Sequence, residues 1–355
     1  MKKPLSEIQK QIGSCLMRGL KGPQLTKEEK DHLLSHEVAG VILFQRNILS
    51  FKQVYELCRE LKELYPVNSP PPLIAVDLEG GSVNRFSHLK ESFPWPSAEK
   101  LGQLKTSEIS LVAEIMGRQL STLGIDINFA PVVDVPLTQG SLLKGRTFDQ
   151  NPETIISCAK AFTEGLIRGG TLPCLKHFPG HGGVSEDSHK TLPKEEGPVE
   201  GRTALKPFEA LKHCPLIMTA HIEFQKEAGP ATFSSYWLET VLRKQMQFQG
   251  LIVSDDIDME ALASYSSAER FTKALSGGCD LVLCCQKPET PLEIDQSLVE
   301  QPEPLQFLKS RLEISAQRIN RLRQSRKKRV HSTWQEASQI LFSSTDWKKL
   351  ESLII

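Results

Sequence analysis

The chain has 355 residues, of which 39% are hydrophobic and 24% are charged, and its 43 basic and 43 acidic side chains cancel at pH 7. This length allows a large buried core, whereas a balanced charge gives no overall field that would attract nucleic acid or an anionic membrane. We therefore expect a small-molecule partner, with no nucleic acid and no membrane.

The N-terminal segment and the cysteines bear on where the protein works. Lys2 and Lys3 resemble the start of a signal peptide, but Glu7, Gln9 and Lys10 follow where its apolar segment would lie. No apolar run approaches the roughly 20 residues of a membrane span. The eight cysteines are scattered without a Cys-x-x-Cys pair, which is typical of reduced thiols in a core. We expect a cytoplasmic protein that acts as a monomer.

Eight short apolar runs are typical of buried strands, and they recur along most of the chain. They lie at residues 13–18, 40–44, 73–76, 125–130, 172–175, 214–220, 251–254 and 280–283. Helix signals lie between several of them: a capping box of Thr26 and Glu29, amphipathic or helical stretches at 51–64 and 107–123, and a helix start at Asn151-Pro152.

Apolar strands that alternate with helices predict a parallel sheet of the α/β class, and eight of them favour a closed (β/α)8 TIM barrel over residues 1–300. A doubly wound open sheet is the alternative. The positions of polar residues favour the barrel, because they follow the ends of many different strands, where barrel active sites are assembled. These residues are Arg46, Asp77, Asp134, Lys176, His177, His221 and Asp255.

The character of the sequence changes from about residue 303, which predicts a C-terminal helical extension over residues 301–355. Apolar residues recur at helical spacing and predict one long helix over 305–328. The basic run at 326–329 suits either a nucleic-acid patch or a solvated helix end, and the neutral overall charge favours the solvated end. The tail at 333–355 is predicted to be helical and to pack on the barrel.

The segment after the fifth predicted strand is rich in ionisable groups and glycine, which is typical of a reactive loop. It contains Lys176, His177, His181, Asp187 and His189. In Asp187-x-His189 the carboxylate can bond one imidazole nitrogen and leave the other to face a substrate. A metal site or a solvated turn is the alternative.

Carboxylates at two other strand ends suit sugar chemistry. Asp77 is placed to bind sugar hydroxyls, with Arg146 and Lys176 as balancing cations. Asp255 and Asp256 end an apolar strand, and alternation predicts that one points into the barrel mouth while the other turns away. A carboxylate nucleophile with a separate proton donor, here His189, is what a retaining glycosidase needs.

Six motifs resemble those of the single-domain β-N-acetylglucosaminidases of glycoside hydrolase family 3. They are Asp77-x-Glu79-Gly80-Gly81, the run at 129–135, Gly145-Arg146-Thr147-Phe148, the run at 176–182, Asp187-Ser188-His189, and Ser254-Asp255-Asp256-Ile257-x-Met259. The resemblance covers about residues 13–285. It departs at Leu78 and Ser82, where the family usually has Gln and Arg.

The resemblance implies a retaining enzyme that removes N-acetylglucosamine from cell-wall fragments carrying anhydro-N-acetylmuramic acid, with no metal and no other cofactor. Asp255 is then the nucleophile, and His189 the acid and base, held by Asp187. The residues implied to bind the sugar are Asp77, Arg146, Lys176, His177, His181 and Met259. The loop at 178–192 is expected to act as a lid.

Three other interpretations remain open from the residues. In a metal-dependent barrel hydrolase, His177, His181, His189 and Asp255 would be metal ligands. In a phosphorylase, phosphate would replace water, because a histidine base does not repel an anion as a carboxylate does. A non-catalytic sugar-binding barrel is the third.

Overall fold

All eight predicted apolar runs contribute strands to one closed sheet in the computed structural model of the chain. The structure describes residues 5–66, 69–136, 143–181, 192–195, 203–224, 229–326 and 333–354. The strands are β1 (Leu16–Gly19), β2 (Gly40–Leu43), β3 (Leu73–Val76), β4 (Ile127–Asn128), β5 (Leu172–Phe178), β6 (Leu216–Thr219), β7 (Leu251–Asp256) and β8 (Leu281–Cys284).

The order of strands around the sheet is β1-β8-β7-β6-β5-β4-β3-β2, and all neighbouring pairs are parallel. The first strand pairs with the last, with Met17 opposite Leu283, so the sheet has no edge. The predicted (β/α)8 barrel is therefore confirmed, and the open doubly wound sheet is wrong.

Helices surround the barrel, and those of the described residues are too short or too polar to cross a membrane. They are α1 (Leu5–Gly13), α2 (Lys27–His36), α3 (Phe51–Glu63), α4 (Ala98–Leu101), α5 (Thr106–Thr122), α6 (Pro152–Gly169), α7 (Lys206–Ala210), α8 (Ser267–Gly277), α9 (Thr290–Glu300), α10 (Glu303–Phe307), α11 (Lys309–Ser325), α12 (Trp334–Leu341) and α13 (Ser344–Ile354), with a π-helix at Tyr236–Gln245.

Side-chain caps start two of these helices where the sequence predicts them. Thr26 Oγ1 accepts the Glu29 backbone N–H at 3.1 Å, and Glu29 Oε2 accepts the Thr26 N–H at 2.9 Å. Asn151 Oδ1 accepts the Glu153 N–H at 2.9 Å, and Pro152 occupies the first turn, where its missing N–H costs nothing. Both predicted starts are confirmed.

The interior is apolar, and all eight cysteines lie in it without forming a disulfide. Burial raises the pKa of the thiols, to about 12 for Cys15 and Cys58. A thiol with so high a pKa stays protonated and behaves as a small apolar side chain. The predicted role of the cysteines as core thiols is confirmed.

The C-terminal extension is helical, but the prediction of one helix over 305–328 is wrong. The helix is interrupted at Leu308, between α10 and α11, where φ is −92° and ψ is 6°. Leu305, Leu312 and Ile319 are nevertheless buried, so the apolar spacing identified the buried face. An interruption that keeps the same face buried leaves no trace in that spacing.

The basic run that begins at Arg326 was predicted to be solvated, and for Arg326 this is wrong. Its side chain is buried, and Nη2 donates to the backbone carbonyl of Asp126 at 3.3 Å. Three positions earlier, Arg323 Nε donates to the carbonyl of Pro71 at 3.0 Å. The end of α11 is therefore held against the segments that lead into β3 and β4, and residues 327–329 lie outside the described residues.

Asp280, at the entrance to β8, joins the extension to the barrel. Its fully buried carboxylate accepts from Arg311 at 3.0 Å and from Arg318 at 2.9 Å, both on α11. It also pairs with Arg243 and accepts the backbone N–H of Ile252 at 3.0 Å. One buried anion thus holds the π-helix, β7 and α11 together.

Candidate active site

A cavity of about 450 Å³ opens at the carboxyl ends of the barrel strands. Side chains from β5 and β7 line it, together with residues that directly follow β2, β3 and β8. Its volume lies within the range of small-molecule sites, and its position is the one where barrels assemble active sites.

Two strands depart from the regular sheet where they reach the cavity. In β5 the pairing with β6 passes from Leu175 opposite Ile217 to Phe178 opposite Thr219, so three steps on one strand match two on the other. In β7 the pairing with β8 shifts in the same way after Val253. Such a bulge breaks the alternation of side chains between the two faces.

The bulges explain why neighbouring residues both reach the cavity. Lys176 and His177 are adjacent in the sequence and both line it, as do Asp255 and Asp256. The prediction that one of the two aspartates turns away from the barrel mouth is therefore wrong. It assumed a strict two-residue alternation that the bulge interrupts.

Glu79 is a buried carboxylate that neutralises two cations at the cavity wall. It accepts from Arg146 Nε and Nη2, each at 2.8 Å, and pairs with Lys176 Nζ at 2.7 Å. Lys176 also contacts Asp77 Oδ1 at 3.2 Å. Burial alone would raise the pKa of Glu79, but the charges of Lys176 and Arg146 hold it well below its usual range. All three groups are therefore charged at neutral pH.

The turn that presents Asp77 and Glu79 is a short hairpin, Leu78–Gly80 paired with Val83–Asn84. Asn128 of β4 ties it to the barrel, because its side-chain amide exchanges two hydrogen bonds of 2.9 Å with the backbone of Leu78. Gly80 has a φ of +90°, and a Cβ atom there would lie 2.0 Å from the carbonyl oxygen of Pro96. Glycine is required at this position.

Two arginines flank an aromatic ring beside Asp77. The guanidinium carbon atoms of Arg46 and Arg85 lie 4.8 and 5.0 Å from the ring centroid of Phe44. Arg85 Nη2 also contacts Asp77 Oδ2 at 2.9 Å. All four residues line the cavity, so this side of it carries positive charge beside an apolar surface.

Asp134 orients His177 from behind. Its fully buried carboxylate accepts the Nδ1–H of His177 at 2.8 Å and the backbone N–H groups of His177 and His181. Burial alone would raise the pKa of Asp134, but the two histidines and their hydrogen bonds hold it below its ordinary value. Because Nδ1 of His177 is engaged by Asp134, the other ring nitrogen, Nε2, is left to contact a substrate.

Asp255 is half-buried at the cavity, and its Oδ1 accepts the backbone N–H of Asp256 at 2.8 Å. Burial raises its pKa, but His221, His177 and Lys176 counter this with positive charge and hold the net value below the ordinary one. Asp255 is therefore an ionised carboxylate beside a space for a substrate, which is the arrangement of a nucleophile.

Asp256 has the opposite character although it is the next residue. Burial and the negative charge of Asp258 raise its pKa to about 7. Its Oδ1 accepts the backbone N–H groups of Asp258 at 3.0 Å and Cys285 at 2.9 Å, which hold the end of β7 against the end of β8. The pair thus divides into an ionised acid and one that is about half protonated at neutral pH.

The structure brings together all the predicted site residues that it describes. Those that line the cavity are Asp77, Arg146, Lys176, His177, His181, Asp255 and Met259. Asp187 and His189, and most of the predicted lid at 178–192, lie outside the described residues.

Sequence reasoning assigned no role to several residues that shape this site. Arg146 and Lys176 were expected to balance the acids after β3, but nothing in the sequence indicated that Glu79 would pair with both cations or that Asp134 would anchor His177. Arg85 gave no signal, because it follows the turn after β3 without a motif of its own. A buried anion paired with cations from distant segments is visible only once the chain is folded.

Potential metal ligands do not converge in the cavity within the described part of the chain. The group of three ligand atoms that lie within 4.8 Å of one another is elsewhere, on α2 and α9. His177 is instead bonded to Asp134, and Lys176 places a cation near Asp255. His189, a further ligand of the predicted metal site, lies outside the described residues.

The sequence is similar to that of known bacterial enzymes over nearly its whole length. Residues 7–322 match the family Glycosyl hydrolase family 3 N terminal domain. The β-hexosaminidase of Thioalkalivibrio sulfidiphilus is 35% identical over 354 residues, which cover 96% of this chain and 95% of that protein. The β-hexosaminidase of Methylococcus capsulatus is 38% identical over 79% of this chain and 86% of its own length.

Solved structures give the same result. A glycoside hydrolase family 3 β-N-acetylglucosaminidase from a Paenibacillus species has a TM-score of 0.88 and 27% identity, with 97% of this chain and 68% of that one covered. NagZ from Neisseria gonorrhoeae, in complex with N-trifluoroacetyl-D-glucosamine, has a TM-score of 0.78 and 29% identity, with 96% and 97% covered. The chain therefore belongs to glycoside hydrolase family 3, and it is an enzyme of the β-hexosaminidase group within that family.

Proposed function

We propose that the protein is a retaining exo-β-N-acetylglucosaminidase that works through a covalent glycosyl-Asp255 intermediate. The observation that carries the proposal is an ionised Asp255 facing a cavity of about 450 Å³ at the barrel mouth, among charged groups held in place by buried partners. The names of the relatives support the choice of sugar: they are β-hexosaminidases, and one related structure contains N-trifluoroacetyl-D-glucosamine.

The proposed reaction has two displacements at C1 of the sugar. Asp255 attacks C1 while His189 gives its proton to the leaving oxygen, so one C–O bond forms as the glycosidic bond breaks. His189 then takes a proton from water, which attacks C1 and releases Asp255 with the β configuration restored. Asp187 would hold the imidazole in the required orientation. The lowered pKa of Asp255 suits this role, because only the carboxylate attacks.

The sugar would be held by groups that are already paired and therefore rigid. Asp77 has oxygens that can accept from hydroxyl groups, and Lys176 and Arg146 can donate to hydroxyl oxygens while Glu79 keeps them in place. His177 would present Nε2, with Asp134 fixing its ring. His181 and Met259 would form the remaining wall, since both line the cavity.

The second part of the substrate would lie toward Arg46 and Arg85. An anhydro-N-acetylmuramic acid residue carries a carboxylate and an apolar ring face, which suit two guanidinium groups around Phe44. Arg85 Nε is buried without a hydrogen-bond partner among the described residues. Cell-wall fragments of this kind are therefore the proposed substrates, in a cytoplasm whose reducing conditions suit eight unbridged cysteines.

The proposed cytoplasmic enzyme would act as a monomer, because every residue assigned to the sugar belongs to one chain. Sedimentation velocity measures the oligomeric state. A stable dimer whose dissociation abolishes activity would contradict this part of the proposal.

Trapping the intermediate tests the nucleophile. A fluorinated N-acetylglucosaminyl fluoride should form the glycosyl-enzyme faster than water removes it, and peptide mass mapping should place the label on Asp255. Asp255→Ala should take up no label and lose nearly all turnover, while circular dichroism shows an unchanged fold because a half-buried acid at the mouth contributes little to the core. A label on Asp256, or full activity of Asp255→Ala, would refute the assignment.

Leaving-group dependence tests His189 as the proton donor. In His189→Ala, kcat/KM should fall far more for alkyl or sugar leaving groups than for nitrophenyl glycosides, which need little protonation. Equal losses on both classes would argue against this role. The matched control is His213→Ala, a histidine that does not line the cavity.

Product analysis in phosphate buffer distinguishes hydrolysis from phosphorolysis. We expect free N-acetylglucosamine at all phosphate concentrations. Formation of a sugar 1-phosphate would instead make the protein a phosphorylase with the same residues.

Turnover that survives extensive treatment with a chelator would dismiss a metal-dependent hydrolase.

A further inference from the structure

A second cluster of ionisable side chains lies away from the barrel mouth, between α2 and α9. His32 and His36 are one helical turn apart on α2, with their rings stacked at 4.2 Å. Asp295 projects from α9, and its Oδ2 lies 3.2 Å from His32 Nε2 and 2.6 Å from His36 Nε2. The side chains of His32 and His36 are more than nine-tenths buried, and that of Asp295 is 11% exposed.

Hydrogen bonding does not account for this cluster. His32 Nδ1, His36 Nε2 and Asp295 Oδ1 are each buried without a hydrogen-bond partner among the described residues, so every member leaves one polar atom unsatisfied. His36 Nε2 and Asp295 Oδ2 lie at an ion-pair distance of 2.6 Å, but they do not form a hydrogen bond. Buried polar atoms without partners are uncommon because each costs free energy, and His36 Nε2, which faces Asp295 inside the cluster, points to a missing ligand.

The ring of His36 is already oriented as a metal ligand. Its Nδ1 lies 3.1 Å from the backbone carbonyl of His32 and 2.8 Å from Ser35 Oγ. A histidine that bonds a carbonyl through one nitrogen directs the lone pair of the other outward, and metal-binding histidines are commonly held in this way. His36 Nε2 is thus directed at Asp295.

We propose that His32, His36 and Asp295 bind a divalent transition metal of the zinc type. Two imidazoles and a carboxylate are typical zinc ligands, and histidines four residues apart on a helix share one face. Metal bonds of about 2.0–2.1 Å place tetrahedral ligands about 3.3 Å apart. Asp295 Oδ2 lies 3.2 Å from His32 Nε2 and 2.6 Å from His36 Nε2. A small outward movement of the side chains and a tilt of the stacked rings would bring both distances to about 3.3 Å.

The surrounding charges are compatible with a cation. Asp295 places a carboxylate between the two imidazole rings. Arg18 of β1 adds a positive charge to the same region, and the carboxylate of Glu29 on α2 offsets it. Because Arg18 and Glu29 offset each other, the carboxylate of Asp295 is the charge that would face a cation bound to the two histidines.

The location suggests a structural role for the metal. Helix α2 follows β1, and α9 follows β8, the two strands whose pairing closes the barrel. A bound ion would therefore fasten the first βα unit to the last across this seam. It would be separate from the cavity, which none of the three ligands lines.

Metal titration of the whole protein tests the site. Protein stripped with dipicolinic acid should take up Zn²⁺ or Co²⁺, and Tm should rise by about 3 °C at a metal concentration near 100 times Kd. His36→Ala should bind one equivalent less and lose this rise. His181→Ala is the matched control. It removes a histidine of the cavity, and it should bind as much metal as wild type and show the same rise in Tm. Equal stoichiometry and an equal rise in wild type and His36→Ala would overturn the proposal.

A second variant and a diffraction measurement keep the test decisive if His36→Ala does not fold. Asp295→Asn has nearly the same shape and should also lose one equivalent of metal. In zinc-soaked crystals of the unaltered protein, an anomalous peak should lie between α2 and α9. Anomalous density confined to the barrel mouth would overturn the proposal, whatever the behaviour of the variants.

Discussion

Glu79 decides how the cations of the active site behave. Without it, Arg146 and Lys176 would be two like charges at one wall of the cavity, with only Asp77 to balance them. Its three short contacts leave these side chains little freedom. Groups held in this way need no reordering when a sugar arrives, which favours binding.

We predict that Glu79→Gln weakens substrate binding and stability together. Removal of one member of a buried charge network leaves the others under-compensated, so the free energy of unfolding should fall by about 3 kcal/mol. KM should rise about tenfold, with a smaller change in kcat, because Arg146 and Lys176 lose their shared anchor. Urea unfolding and kinetics on an aryl glycoside measure these effects. Glu91→Gln, at an exposed position, is the control, and an unchanged KM would contradict the prediction.

Asp256 makes stability depend on pH. Because folding raises its pKa to about 7, the protonated form favours the folded state, and this contribution is complete below about pH 4 and lost as the pH rises through 7. Asp256→Asn keeps an oxygen for the two backbone N–H groups but cannot ionise. Its stability relative to wild type should therefore rise by a few kcal/mol, on the order of 3, between pH 5 and pH 8.

Urea unfolding of wild type and Asp256→Asn across this pH range measures the difference. Comparison of the two proteins at each pH cancels the titration of all other groups. A difference that stays constant from pH 5 to pH 8 would show that Asp256 does not titrate in this interval in the folded protein.

For single residues, the sequence predicted which side chains gather at the site better than it predicted the hydrogen-bond and ion-pair partners of those side chains. Asp77, Lys176 and Asp255 lie at the carboxyl ends of strands or directly after them, and the topology of the barrel brings these ends to one mouth. The anchoring of His177 by Asp134 depends on side-chain packing between two neighbouring segments, and no spacing encodes it.

Among the elements, β5 and β7 are the strands whose irregularity matters most. Each carries a bulge at its carboxyl end, and each delivers two adjacent residues to the cavity. Strand identity could be predicted from apolar runs, whereas a bulge depends on the register with a neighbouring strand. The incorrect orientation assigned to one of the two aspartates follows directly from this.

We predict that the attachment of α11 to the barrel depends on Asp280. Asp280→Asn should lower the free energy of unfolding by about 4 kcal/mol, because Arg243 and Arg311 would keep buried charges without an anion between them. At temperatures where the variant is folded, kcat/KM should equal that of wild type, since Asp280 does not line the cavity.

Thermal unfolding and aryl-glycoside kinetics check both parts of this prediction. The control is Glu303→Gln, which removes an exposed carboxylate from the same extension. A loss of kcat/KM in folded Asp280→Asn would mean that α11 influences the barrel mouth.

For the molecule as a whole, the barrel was predictable because its signal is repeated eight times. Parallel strands buried on both faces give continuous apolar runs, and errors in any single boundary do not change the count. The last helices contain no pattern that recurs in this way, so their directions could not be predicted from the sequence. The tail packs by aromatic contacts such as Trp334 with Tyr55 and Trp347 with Phe93, which join distant parts of the sequence. The boundary near residue 300 stays a prediction.

The pairing of β1 with β8 has a consequence for how the protein is made. A nascent chain that has left the ribosome as far as residue 280 has seven strands, and both β1 and β7 still have an unpaired side. The carboxylate of Asp280 has not yet met its partners on α11. Closure of the barrel therefore waits until residues 281–284 have been made, and until then the growing polypeptide presents two open sheet edges to chaperones and to other nascent chains.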